Sequence, residues 1–167
     1  MKHTGSTTLS APSGQIDLGD WLFTLSDADY QATARGHRAA GTFVQDGTRG
    51  MVNVEVMGGH LIIQHYREVS VTPSRVEMVS ERSRVYLFHF VPATVQVRWT
   101  MSVTDRTTES SELQCTVELT LTPLLRALGS LSALSAAIRA HTLEETQGFA
   151  DDIMRKTKIA RASKPDQ

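Results

Sequence analysis

The sequence predicts an α+β domain: a curved antiparallel sheet of about six or seven strands, closed by a long C-terminal helix with a cavity between them. Three observations predict it. From Met51 to Thr122 apolar residues recur at alternate positions, the period of a strand. The strand-like runs are short and joined by short turns, which favours an antiparallel meander. After Pro123 the spacing changes to three and four residues and holds to about Lys156, as in one amphipathic helix.

The 167 residues suffice for a single domain with a sizeable core, and 40% hydrophobic with 21% charged residues is ordinary for a globular chain. The net charge is −1 and the Arg residues are scattered, whereas a nucleic-acid binder gathers basic residues on one face. Cys115 is the one cysteine, so no internal disulfide forms, which fits a reducing compartment. Met1-Lys2-His3 leads into a polar stretch without a signal-peptide core. No run approaches the roughly 18 apolar residues that span a bilayer. A cytoplasmic protein without a membrane span is expected.

Residues 1–15, rich in Ser, Thr and Gly, are expected to be a flexible N-terminal tail. Residues 16–157 then form the domain, and 158–167 a basic C-terminal tail. Within 20–40 the sequence predicts two small helices. Ser26 is a good N-cap, Asp27 and Asp29 suit a first turn, and Tyr30, Ala34 and His37 share a face. Strands follow over 51–57 and 60–71, joined by Gly58-Gly59, which reaches the positive φ of a tight turn. Thr72-Pro73-Ser74 turns into 75–81, and Glu81-Arg82-Ser83 into 84–91. Pro92 breaks pairing before 94–104, and a polar loop precedes 112–122. In the helix Leu124, Leu128, Leu131, Leu134 and Ile138 form the buried stripe, continued by Phe149 and Ile153. Pro123 suits a first helical position, Gly148 allows a bend, and Glu144 and Glu145 read as solvated.

Parity assigns the inward faces. Leu113, Cys115, Val117, Leu119 and Leu121 face in from the last strand, and Val95, Val97, Trp99, Met101 and Val103 from the one before. In 60–71 Leu61, Ile63, Val69 and Val71 share a face with His65 and Arg67; in 84–91 Val85, Leu87 and Val91 share one with His89. A buried polar group without a partner costs about 1–3 kcal/mol, so those three need partners, water or a ligand. His65 or His89 can then serve as acid or base, and Arg67 can hold a carboxylate, phenolate or enolate oxygen. The plainer reading places all three at splayed strand ends. A ligand pocket would be walled by Ile63, Leu87, Val97, Trp99, Met101, Cys115, Val117, Leu131, Leu134 and Ile138, although side chains such as Trp99 and Met101 are more often plain core than ligand contacts. Cys115 has no basic neighbour in sequence and reads as an inert hydrophobe. His141 and Glu145 are spaced i, i+4, but no second His–carboxylate pair accompanies them in the sequence. They read as an exposed helical ion pair, and neither a metal nor a cofactor is expected.

Val95-Gln-Val-Arg-Trp-Thr-Met-Ser-Val103, then Cys115-Thr-Val-Glu-Leu-Thr-Leu-Thr-Pro123 and a long amphipathic helix, resembles the START-like superfamily. That superfamily includes Bet v 1-like proteins and polyketide cyclase/dehydrase proteins (SRPBCC). The resemblance covers about residues 50–157 and implies a helix-grip fold holding hydrophobic ligands. It also implies a strand ahead of the two small helices, which residues 4–11 or 13–18 would supply. A lipocalin-like barrel and a cystatin-like cone share parts of the pattern. No catalytic motif of the family is matched. The readings are a module binding a hydrophobic or aromatic small molecule, a cyclase or aromatase using inward His and Arg for proton transfer and enolate stabilisation, and a homodimeric interaction module pairing through Tyr66, Tyr86, Phe88 and Phe90.

Overall fold

The computed structural model describes the backbone of residues 1–121 and 131–162, and side chains over 1–121 and 134–159. Strand β1 (Lys2–Leu9) is followed by a 3-10 turn (Ser13–Gln15) and helices α1 (Leu18–Phe23) and α2 (Asp27–Thr33). Strands β2 (His37–Gln45), β3 (Thr48–Met57), β4 (His60–Thr72), β5 (Arg75–Leu87), β6 (Val91–Asp105) and β7 (Ser111–Leu121) come next, and α3 (Leu131–Ala162) ends the fold. All seven strands form one antiparallel sheet in the order β1-β7-β6-β5-β4-β3-β2. It is the expected α+β meander gripping a helix.

Local chemistry sets the element ends. The Asp17 side chain caps α1 by accepting from the Asp20 N–H, and Ser26 caps α2 by accepting from the Asp29 N–H. The sheet bends where β5 shifts register between Ser80 and Ser83. Buried residues are even-numbered before that point (Val76, Met78, Ser80) and odd-numbered after it (Ser83, Val85). Helix α3 packs on β1, β7 and α2, and the core gathers between helix and sheet around Leu18, Leu22, Met78, Met101, Leu113 and Phe149.

The inward residues expected for 94–104 and 112–122 are all buried, because both strands alternate cleanly under the helix. Several expectations need correction. The sequence from Lys2 to Leu9 is an edge strand, not a flexible tail, and it supplies the strand the resemblance required. Its ladder to β7 runs from Lys2 opposite Glu118 to Leu9 opposite Ser111, closed by the Met1 amine donating to the Leu119 carbonyl at 2.7 Å. The 81–83 turn is a bulge within one long β5, and Pro92 lies opposite Tyr86 inside the β5–β6 ladder. Residues Phe88 and His89 instead make the turn, at φ 51° and 67°. Tyr66 is buried, so it offers no dimer surface, while Phe88 and Phe90 are exposed. Leu124 and Leu128 lie outside the described residues.

Surface carboxylates give the fold an acid dependence. Hydrogen bonds from Arg75 and Arg98 hold the Glu77 carboxyl below its ordinary range, and Ser26 and Lys156 do the same for Asp29. A depressed folded value means that this stabilisation is complete above about pH 4–4.5, the unfolded range, and is lost as pH falls through the folded values. Urea midpoints should therefore drop on acidification, and less steeply at high salt, because these pairs are exposed to screening. An equal drop at both salt levels would count against these pairs as the source.

Candidate functional site

Four titratable side chains from three elements meet between sheet and helix. His37 opens β2 and lies opposite Glu55 of β3 in the ladder. His141 and Glu145 stand one turn apart on α3. Exposures of 3, 4, 8 and 5% for His37, Glu55, His141 and Glu145 remove all four from bulk water. His37 Nε2 is 3.6 Å from Glu145 Oε1, and His141 Nε2 is 3.4 Å from Glu55 Oε2.

Each β-side member is held from behind. Thr33 Oγ1 and the Tyr30 carbonyl lie 2.9 and 2.8 Å from His37 Nδ1, while the Thr33 hydroxyl donates to that same carbonyl. A carbonyl only accepts, so Nδ1 carries the proton and the neutral ring's lone pair sits on Nε2. The Tyr30 ring stacks on His37 at 3.8 Å between centroids. Tyr30 Oη donates to Glu55 Oε1 at 2.6 Å, and Asn53 Nδ2 donates to the same oxygen at 2.8 Å and to Tyr30 Oη at 2.9 Å. This leaves Glu55 Oε2 turned towards His141. Gly36 makes room for that ring: a Cβ there would come within 3.0 Å of His141 Cε1 and 2.8 Å of the Val56 carbonyl.

The electrostatics follow. Burial works against a charge on His141, but Glu55, Glu145 and Glu144 outweigh it and raise the imidazole to about 9. Burial likewise opposes the Glu55 charge, but His141, His37 and Tyr30 hold its carboxyl below the ordinary value. Burial, then the Glu55 charge, pushes the Tyr30 phenol well up, so it stays a donor. Tyr30→Phe should strip Glu55 of a donor and Asn53 of an acceptor, lowering stability by about 1–3 kcal/mol in urea unfolding. An unchanged midpoint would show that the hydroxyl does not hold Glu55.

Beside these groups lies an interior hollow of about 20 Å³, walled by Met51, Met57, Ile62, Val97, Trp99 and Leu119 among others. His37 Nε2, His141 Nε2, Asn53 Oδ1 and Gln64 Oε1 are buried without a hydrogen-bond partner among the described residues.

Of the residues expected to line a cavity, Val97, Trp99, Val117 and Ile138 do so. Met101 and Cys115 are buried in plain core; Trp99 Nε1 donates to Cys115 Sγ at 3.0 Å, and burial pushes that thiol well up. Leu134 and Leu87 are partly buried against the core, and the Leu131 side chain lies outside the described residues. The three polar candidates are elsewhere. His65 is exposed on the outer face, Arg67 donates to Gln45 Oε1 at 2.6 Å, and His89 sits in the exposed β5–β6 turn. Ile63 is half-buried on that outer face. The inward set of β4 is Ile62, Gln64 and Tyr66, because β4 pairs with Glu55, Asn53 and Met51 of β3. Glu145, expected in solvent, is buried. Asn53 and Glu55 between Met51 and Met57 were the available signal, a polar pair in phase with two methionines. Nothing in the local sequence marks His37, which belongs to a strand and not to α2.

The fold superposes on known solved structures. The conserved protein from Geobacillus kaustophilus superposes with a TM-score of 0.63 at 10% identity, over 93% of this chain and 97% of its own. The Zhui aromatase/cyclase from Streptomyces sp. R1128 gives 0.62 at 12% identity over 96% and 97%. A START superfamily protein from Mycobacterium smegmatis gives 0.50 at 13% identity over 84% and 96%. The fold is START-like. No protein-family model and no curated protein sequence matches the chain. The START-like architecture places the buried quartet between the sheet and α3, and no described helix is long and apolar enough to cross a membrane.

Proposed function

We propose that this START-like chain binds a small molecule with an apolar body between the sheet and α3, its polar end held beside His141, Asn53 and Gln64. One observation carries the reading: the unpartnered buried polar atoms of His141, Asn53 and Gln64 line one interior hollow together with apolar walls. At about 20 Å³ that hollow takes little more than one water-sized group. Entry of a ligand therefore requires Met51 and Met57, unbranched and adaptable side chains, to swing aside. The likeness to a protein described as an aromatase/cyclase directs the choice of ligand towards aromatic polyketides. Proton transfer through His65, Arg67 and His89 finds no support in their positions on the outer face and in an exposed turn.

An environment-sensitive apolar dye and aromatic polyketides are the probes. Saturable dye binding, displaced by a polyketide and abolished by Ile138→Phe in a variant that stays folded, is the expected result. Dye binding unaltered by Ile138→Phe, or none at all, would remove this function.

A further inference from the structure

We propose that His37, Glu55, His141 and Glu145 form a site for one divalent transition-metal cation, with Zn²⁺ the best match. The inference does not depend on the apolar-ligand reading.

The donor set comes first. Two imidazoles and two carboxylates are a borderline-to-hard combination that suits Zn²⁺. Each side chain offers one donor atom, and all four atoms lie within 4.8 Å of one another. Spacing is the second argument. Zn–N and Zn–O bonds of about 2.0–2.1 Å place tetrahedral donor atoms about 3.3–3.4 Å apart. The two His–Glu separations are 3.4 and 3.6 Å. A charge-assisted hydrogen bond would draw such pairs to about 2.7–2.9 Å. Instead both Nε2 atoms are buried without hydrogen-bond partners among the described residues, at the spacing of atoms that share an ion.

The supporting shell points the same way. Metal-binding histidines donate their other ring N–H to a fixed acceptor, and ligating carboxylates are themselves hydrogen-bonded. His37 Nδ1–H is fixed by the Tyr30 carbonyl and Thr33 Oγ1, leaving the Nε2 lone pair directed at Glu145. Glu55 Oε1 is occupied by Tyr30 and Asn53, leaving Oε2 directed at His141. Charge is the fourth argument. Metal binding displaces the His141 proton, and the two carboxylates with two neutral imidazoles then carry two negative charges that a dication offsets in full. Access exists as well. A surface depression lined by Arg35, Gly36, Val56 and Glu144 includes His141, which also lines the interior hollow.

The test uses the full untagged chain, stripped with a chelator and titrated with Zn²⁺ alone or Co²⁺ alone. Uptake of one equivalent is expected, with a raised melting temperature and the intense visible bands of four-coordinate Co²⁺. Loss of even an outer hydrogen-bond partner weakens a metal site by about 10–100-fold, so His141→Gln and Glu145→Gln should each lower Zn²⁺ affinity by more than about 100-fold. Glu118→Gln, which removes the exposed Lys2 pairing away from the quartet, should leave it unchanged. No stoichiometric uptake would overturn the site, as would uptake untouched by both variants, which would trace to surface histidines. Should the variants fail to fold, the cobalt spectrum of the unaltered chain decides, and weak six-coordinate bands would overturn it. Dye binding is read separately, so either proposal can fail while the other stands.

Discussion

Gly148→Ala should cripple the fold. A Cβ at Gly148 would lie 1.9 Å from the Thr33 carbonyl oxygen and 2.6 Å from its carbon. These are backbone atoms at the end of α2, so no rotamer change relieves the overlap. Helix α3 must move away from α2, and its packing with it. Ala in a helix would otherwise gain about 1 kcal/mol over Gly. The clash reverses that sign, and a net loss of about 3 kcal/mol or more is expected, at or beyond the upper end of ordinary overpacking. Urea unfolding followed by circular dichroism measures it. The shift has a second effect. Thr33 orients His37, and Glu145 lies one turn before Gly148, so displacing α3 also opens the His37–Glu145 pair. A midpoint equal to or above that of the unaltered chain would show that the helices do not meet as described.

Phe149→Ala should destabilise by a comparable amount, about 3–5 kcal/mol, the range for an emptied aromatic core position. Phe149 is 1% exposed, and its ring meets Trp21 edge-on at 5.0 Å and Trp99 at 5.9 Å, with His37 also at 5.9 Å. It joins α1, β6 and the opening of β2 to one point on α3, so its loss leaves a cavity bounded by three separate elements. Phe149→Leu, which keeps most of the volume, should cost under about 1.5 kcal/mol. Equal losses for the two variants in urea unfolding would mean that the site collapses freely and that the ring contacts contribute little.

The fold was legible where one face of an element is uniformly apolar. Strands β6 and β7 alternate without exception under α3, so parity names their buried side chains. The stripe through Ile138, Phe149 and Ile153 names the helix face. Legibility fails on β3 and β4. There Val52, Val54 and Ile63 face outward and half-buried, while Asn53, Glu55 and Gln64 face in. Hydrophobicity alone inverts that choice, because a one-residue change of phase exchanges the two faces entirely. The inversion coincides with the candidate site, as expected where function overrides the burial pattern. Gly148 was open to a similar misreading. From sequence it permits a bend; in the fold it is the point where α3 touches the α2 backbone.

The sequence by itself determined the order and type of most elements, the antiparallel meander and the grip of a terminal helix. Those follow from periods of two and 3.6 residues, which act between near neighbours in the chain. Tertiary structure alone decided that His37, Glu55, His141 and Glu145 meet. Their convergence depends on β2–β3 register and on where α3 crosses the sheet. Positions 37 and 145 are separated by most of the chain, and no local spacing encodes their distance. The spacing of His141 and Glu145 showed half of the quartet, and packing supplied the other half.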